Sequence, residues 1–440
     1  MSVIGIPLVA IAILMCGSVA RAANPTFVTL YSFNGVPDGE DAMGRPLGGN
    51  GALYGTTVGG GAGSCPFDGS DEGCGTIFEL TPPAISGGQW TESVLHSFTG
   101  GPDGFFPYTG LSQGGNGALY GTTLFGGSGQ CTDGYPPVVV GCGTAFELSP
   151  PVSPGGSWTK TVIYSFPGTD AASSQPSGLV IDKNGSMYGT TVGGGASNAG
   201  TVFKLNPPVS PSHPWTETTI YSFAGGSDGS GPSAGVTFGR DDSLYGTTSL
   251  GGASNCGTVF QLTPPSSPGG DWEERPIHTF AYDAGGYYPY KGVVVGSGGS
   301  LYGTTNTADG QGTVFELTPP SSPGGAWAYS VLLSFDSVSL GFEPVGLAIG
   351  AGGVLYGATS TGGTGCPFGC GIIYKLAPPR SPGGAWHQTT LYSFTGGDDG
   401  WGPTSLDMSE SGILYGTTEF GAVQSPTCGS GCGTVFELRP

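Results

Sequence analysis

The chain has 440 residues, of which 88 are Gly and 37 are Pro. That density would mark low complexity were it not broken by regular runs of Thr, Val, Ile, Tyr and Phe, the vocabulary of strands and tight turns. Only 11 Lys and Arg stand against 31 Asp and Glu, a formal charge of −20, so the surface repels phosphate backbones and anionic head groups and nucleic acid is excluded as a partner.

The N-terminus, MSVIGIPLVAIAILMCGSVARAANP, has an apolar core from about Val3 to Met15 and then small residues, with Ala20-Arg21-Ala22 or Arg21-Ala22-Ala23 ahead of a cleavage point. It reads as a secretory leader over residues 1–23 and predicts an exported protein, extracellular or periplasmic. Residues 24–440 form the expected single domain. They contain no apolar run near the ~20 residues of a spanning helix, so a monomer with no membrane segment is expected after cleavage.

From there the chain repeats itself. The motif LYGTT, intact or nearly so, places Tyr54, Tyr120, Tyr188, Tyr245, Tyr302, Tyr356 and Tyr415 at a mean step of about 60 residues, a period that must be read before any domain count. Each Tyr is followed by a Gly-rich loop and a second strand of the GTVFEL type, then PP and often SPGG, then a Trp and a third strand ending in Ser-Phe or Thr-Phe. A fourth short strand, such as GLVID at 178–182 or GVVVG at 292–296, precedes the next LYGTT. Calling these strands A (GLVID), B (LYGTT), C (GTVFEL) and D (LYSF), four strands repeated seven times predict an all-β fold, a seven-bladed β-propeller of four-stranded antiparallel blades. The first strand after the leader is a D strand, FVTLYSF at 27–33, and the last is a C strand at 433–438. The N-terminal strand is therefore expected to complete the last blade, which removes an open edge. Trp90, Trp158, Trp215, Trp272, Trp327 and Trp386 recur at one offset before strand D and are expected in the blade core.

The repeated LYGTT, GG and GTVFEL, with TP or PP after them, resemble the GloVer tandem-repeat proteins, exported bacterial proteins with a choice of C-terminal anchor. The likeness spans residues 27–440 and implies an extracellular repeat protein of undefined molecular activity. After Leu438 only Arg-Pro remains, a departure from the anchored members.

Nine cysteines follow the leader, and eight fall into close pairs: Cys65 with Cys74, Cys131 with Cys142, Cys366 with Cys370, and Cys428 with Cys432. Disulfides suit an exported protein, whereas zinc would need four ligands that these pairs do not gather. They are expected to staple the long BC loops of blades one, two, six and seven across neighbours. Cys256 has no partner and is expected to be a free thiol.

The AB and CD connections are stereotyped, whereas the DA and BC loops vary, and variable loops on a rigid frame are where binding resides. An Asp recurs in the DA turn: Asp38, Asp103, Asp170, Asp228, Asp283, Asp336 and Asp399. It reads either as turn chemistry or as a carboxylate ring able to hold Ca²⁺, for which no EF-hand spacing is present; no other cofactor or metal is expected. Phe105, Phe106, Tyr287, Tyr288, Phe342, Glu343 and Trp401 stand in some DA loops and not in others. With Asp399 they are the candidate ligand-binding residues, since aromatic faces beside carboxylates suit a sugar. No nucleophile elbow or phosphate loop is present and no catalytic residue is assigned. The reading is an exported, non-enzymatic binding or scaffold module whose partner is a polysaccharide or a cell-surface protein. A secreted carbohydrate-active enzyme using Asp or Glu at the channel mouth, and a purely structural repeat protein, are the alternatives.

Overall fold

Seven four-stranded antiparallel sheets follow one another around a ring, each in the order A-B-C-D. The computed structural model describes residues 24–440 apart from 50, 66–71, 86, 134–137, 154, 169–175, 211, 268, 284, 308–310, 323, 336–339, 368, 382 and 422–427; the leader lies outside the described residues. Strands B run over Ala52–Gly59, Leu119–Thr123, Met187–Thr191, Leu244–Thr248, Leu301–Asn306, Leu355–Thr361 and Leu414–Phe420. Strands C run over Thr76–Thr81, Thr144–Ser149, Thr201–Asn206, Thr258–Thr263, Gly312–Thr318, Ile372–Ala377 and Thr434–Arg439. Strands D of blades one to six are Thr91–Ser97, Thr159–Ser165, Thr216–Ser222, Glu273–Thr279, Ala328–Phe335 and His387–Ser393. The seventh is Thr26–Ser32, which pairs antiparallel with Thr434–Arg439, Thr26 opposite Arg439 and Ser32 opposite Thr434. The ring is thus closed by the N-terminal strand.

Strands A are uneven. They shrink to two residues in blades two to five, at Ser112–Gln113, Val180–Ile181, Thr237–Phe238 and Val294–Val295, and lengthen to Phe342–Ile349, Trp401–Met408 and Glu40–Gly49 in blades six, seven and one. They lie innermost, touching the A strands of neighbouring blades.

The wording of the repeat follows from one cross-strand pair. The Gly of each LYGTT stands opposite the aromatic of strand C, as Gly55 does opposite Phe78 and Gly246 opposite Phe260. That ring lies across the glycine so closely that a Cβ on Gly246 would come 2.4 Å from Phe260 Cζ. The other side of the ring receives the final Phe of the preceding blade's strand D. Phe33–Phe78, Phe98–Phe146, Phe166–Phe203, Phe223–Phe260, Phe280–Phe315, Phe335–Tyr374 and Phe394–Phe436 all meet edge to face, 5.1–5.5 Å between centroids, the geometry that the ring quadrupole favours. The core is correspondingly seven clusters, each shared by two adjacent blades.

The two threonines of LYGTT do more than keep side chains small. The second hydrogen-bonds the first Thr of strand C at 2.7–2.9 Å in six blades, Thr57 with Thr76 through Thr418 with Thr434; Ile372 takes that place in the sixth. The first reaches the next blade, as Thr56 donates to the Thr109 carbonyl, Thr122 to Pro176 and Thr190 to Pro232. Five of the six Trp before strand D pack edge-on against the LYGTT Tyr of the preceding blade, from Trp158 on Tyr54 to Trp386 on Tyr302, at 5.8–6.2 Å, and Trp90 packs on the cluster shared by blades seven and one.

Candidate functional site

In an antiparallel blade the DA and BC connections share one end of the ring. The four predicted disulfides are formed, and Cys256 is free and buried. They do not link neighbouring loops as the sequence suggested. Each closes within its own BC loop, and the first three pack on the first glycine of the following DA turn: a Cβ on Gly100 would lie 2.9 Å from Cys65 Sγ, one on Gly168 2.6 Å from Cys142 Sγ, and one on Gly396 3.0 Å from Cys370 Sγ. The nearest approach to a metal-ligand group among the described residues is Glu40 with Cys428 and Cys432, but both sulfurs are oxidised, which leaves no thiolate to coordinate. Four disulfides fit an extracellular protein. Among the described residues no helix is long and apolar enough to cross a membrane.

Four of the recurrent DA aspartates, Asp38, Asp103, Asp228 and Asp399, bond back to the strand before their turn. Asp399 is buried, and its carboxylate accepts from Tyr392 Oη at 2.9 Å, Thr395 N at 2.8 Å and Gly397 N at 3.2 Å. Asp38 and Asp228 make the same bonds to their own turns and to Tyr31 and Tyr221 of strand D. Asp103 takes His96 and Lys160 in place of a Tyr. These four tie their turns to the outer strand that precedes them; Asp283 accepts from Gly285 N of its own turn at 2.8 Å, and Asp170 and Asp336 lie outside the described residues.

One position of the DA loop, the residue before its Pro, is marked by its backbone. Phe106, Tyr288 and Glu343, and Asp41 where Ala42 replaces the Pro, all adopt left-handed backbone with φ of 54–56°. In blades four and seven the position is Gly231 and Gly402, also with positive φ. The backbone is held there by the preceding blade: the N–H groups of Asp41, Phe106, Gly231, Tyr288 and Gly402 donate to the carbonyls of Cys432, Cys74, Ala199, Cys256 and Cys370 at 2.9–3.2 Å.

The candidate residues therefore divide. Phe105, Tyr287 and Trp401 stand one place earlier and pack back into the blade, Phe105 on Phe125 at 5.4 Å, Trp401 on Phe420 at 4.3 Å and Tyr287 in the cluster shared by blades four and five. Phe342 pairs with Thr361 at the start of its strand. Phe106, Tyr288 and Glu343 occupy the left-handed position itself. Tyr288 Oη lies 3.0 Å from Tyr282 Oη, and Glu343 Oε2 accepts from Ser360 Oγ at 2.7 Å.

Sequence reasoning missed the centre of the site. Glu419, directly after the seventh LYGTT, interacts with Lys291 of blade five, Glu343 of blade six, Asp41 of blade one and Tyr108 of blade two. A side chain that senses charges two blades away in both directions lies at the axis. Burial pushes the Asp41 carboxyl up to about 7, helped by the charges of Glu419 and Glu72. Burial likewise raises Glu419, opposed by Lys291 and reinforced by Glu343. Lys291 is open to water yet enclosed by the surrounding blades, and that enclosure lowers its ammonium against the pull of Glu419. Tyr108 and Tyr290, each just past the Pro, are 51% and 45% exposed. The mouth thus gathers three carboxyl groups, one ammonium and two open phenol rings. Such a set accepts hydrogen bonds from hydroxyls, offers π faces to CH groups, and holds a proton near neutrality. The one signal in the sequence was Glu419 itself, since the other six blades carry Val58, Leu124, Val192, Ser249, Asn306 and Ser360 at its position.

No curated protein matches the chain in sequence. Among solved structures it is similar to PorZ, a bacterial surface component of the type-IX secretion system of Porphyromonas gingivalis, at 14% identity with a TM-score of 0.52, over 92% of this chain and 47% of PorZ. The chain spans about half the length of PorZ. It is also similar to the PQQ domain of a pyranose dehydrogenase from Coprinopsis cinerea, with 12% identity, a TM-score of 0.44 and coverage of 95% and 96%. A PL25 ulvan lyase gives 12%, 0.45, and 93% and 95%. At such identities the likeness is one of fold alone. The family model of the Gloeobacter/Verrucomicrobia repeat matches residues 137–365, just over half of the chain, and the protein belongs to that repeat family.

Proposed function

We propose that the protein is an exported, non-enzymatic binding module that receives a carbohydrate chain at the axial mouth of the DA and BC face. The observation that carries this reading is the left-handed loop position. Gly231 and Gly402 show that glycine fits it, yet Asp41, Phe106, Tyr288 and Glu343 keep side chains there, each at a cost of roughly 1–2 kcal/mol of backbone strain. Large or charged side chains retained against strain at one end of a ring are expected where those side chains serve a ligand. The open rings of Tyr108 and Tyr290 beside carboxylate acceptors match the alternating CH faces and hydroxyls of a sugar. The leader-like residues 1–23 and the four disulfides support export.

The test is retention of protein spanning residues 24–440 on a panel of insoluble polysaccharides, with the supernatants analysed for new products by mass spectrometry. Retention that disappears in Tyr108→Ala supports the module. Released oligosaccharides would replace it with the enzyme reading, which the near-neutral Asp41 favours; Asp41→Asn would then abolish product formation. No retention on any sugar would turn the mouth over to a protein partner.

A further inference from the structure

In blades one, two, four, five and seven the second residue of strand D stands at the interface with the preceding blade, and its identity differs from one to the next; Glu217 and Gln388 hold the place in blades three and six, where the turn aspartates lie outside the described residues. At one interface it is Lys160, whose ammonium lies 2.6 Å from Asp103 Oδ1. At two others it is an aromatic: Phe27 stacks on Tyr392 at 3.9 Å and Tyr329 on His278 at 4.0 Å. At Glu92 and Glu274 it is a second acid. Glu92 faces Asp38 and Tyr31 between blades seven and one. Glu274 faces Asp228 and Tyr221 between blades three and four, with Tyr221 Oη 3.1 Å from Asp228 Oδ2 and 3.4 Å from Glu274 Oε2. Among the described residues no cation acts on either Glu.

We propose that these two interfaces are each closed by one shared proton, held between Glu92 and Asp38 and between Glu274 and Asp228, so that the ring is tight in acid and loosens when the proton leaves. Two ionised carboxylates confined in a low-dielectric interface repel, whereas one carboxylic acid donating to one carboxylate attracts. Asp38 Oδ1, Glu92 Oε1 and Glu274 Oε1 are buried and carry no hydrogen bond, the condition that an acid O–H relieves, and in the second pair the Tyr221 hydroxyl stands between the two carboxyl groups. In each pair the Asp already accepts from its turn and from the Tyr hydroxyl, which keeps it the acceptor and leaves the Glu to hold the proton. Burial first, and the facing Asp second, push the Glu92 carboxyl up to about 7 and that of Glu274 to about 8.

The sign follows from the direction of these shifts. Both acids lose their protons near pH 4.5 when unfolded and near pH 7–8 when folded. The folded ring therefore binds more protons between these values, and its stability falls as pH rises through that window and levels off above it.

The test compares melting temperature against pH from 5 to 9 for the chain spanning residues 24–440 and for the Glu92→Gln, Glu274→Gln double variant, with the exposed Glu410→Gln as charge control. The double variant is expected to melt no higher than the parent at pH 5 and at least about 2 °C higher at pH 9, while the control tracks the parent throughout. Glu274→Lys, which copies the Lys160–Asp103 pair, is expected to gain at pH 9 as well. Parallel curves for parent and double variant would overturn the proposal. So would a rise of the parent's melting temperature at pH 9 on adding Ca²⁺ that the double variant lacks, because the pairs would then hold a metal ion rather than a proton. Should the double variant not fold, Glu274→Gln alone carries the same comparison.

Discussion

Phe33, just past the N-terminal strand, meets Phe78 of the first blade edge to face at 5.1 Å, with the rings at 64°. The same contact is made six more times around the ring, so the junction where the two ends of the chain meet is built like every other. Phe33→Ala is accordingly expected to cost about 3–5 kcal/mol, the usual range for a buried aromatic, and to match Phe223→Ala at an interior interface within about 1 kcal/mol. Equilibrium urea unfolding of the two variants checks this; a much smaller loss at Phe33 would mean that the closure is a weak seam.

The glycine of LYGTT is a matter of space. Gly246→Ala drives a Cβ into the Phe260 ring and is expected to destabilise by about 1–3 kcal/mol, as overpacking does. Phe260→Leu in the same chain should recover part of that loss. If Gly246→Ala proves silent in thermal melts, the cross-strand explanation of the repeat fails.

Tyr288→Gly relieves a left-handed backbone and removes a side chain from the mouth. It is expected to leave the melting temperature within about 2 °C of the parent, strain relief offsetting the lost ring contacts with Tyr282 and Tyr290, while retention on the polysaccharide falls at least about fivefold. A large loss of stability with unchanged retention would assign Tyr288 to the scaffold.

Asp103 carries the opposite pH signature to Glu92 and Glu274. Burial alone would raise its carboxyl, but hydrogen bonds from His96 and Lys160 outweigh burial and hold it well below the ordinary range. Its contribution is therefore full above the unfolded value near 4 and is lost as pH falls toward the folded one. Asp103→Asn leaves the Lys160 side chain, only 3% exposed, without its counter-charge. It is expected to cost about 2–4 kcal/mol at pH 7 and less at pH 2, where part of the Asp103 contribution is already gone. Urea titrations at the two pH values decide it.

The architecture was legible because each repeat encodes a contact that a reader of sequence can align: glycine opposite aromatic, Trp before strand D, a D strand first and a C strand last. The disulfides were legible from spacing alone, although not that each is confined to one loop. The site was only half legible. Phe106, Tyr288 and Glu343 stood out as unusual loop residues, but their neighbours Phe105, Tyr287 and Trp401 looked alike in sequence and point back into the blades. The difference is a single backbone conformation, which composition does not record. Asp41 was hidden because its loop lacks the Pro that marks the position elsewhere, and Glu419 because it abuts the most regular word in the repeat. The turn aspartates drew attention by recurring, whereas at Asp38, Asp103, Asp228 and Asp399 the recurrence reflects a bond to the Tyr or His of the preceding strand.

The left-handed loop position accepts glycine, an aromatic ring and a carboxylate on one backbone, since the preceding blade supplies the hydrogen bond that fixes it at Gly231, Gly402, Phe106, Tyr288 and Asp41 alike. A lineage can therefore exchange what the mouth presents one codon at a time without rebuilding the ring, and relatives with the same repeats are expected to differ in what they hold rather than in how they stand.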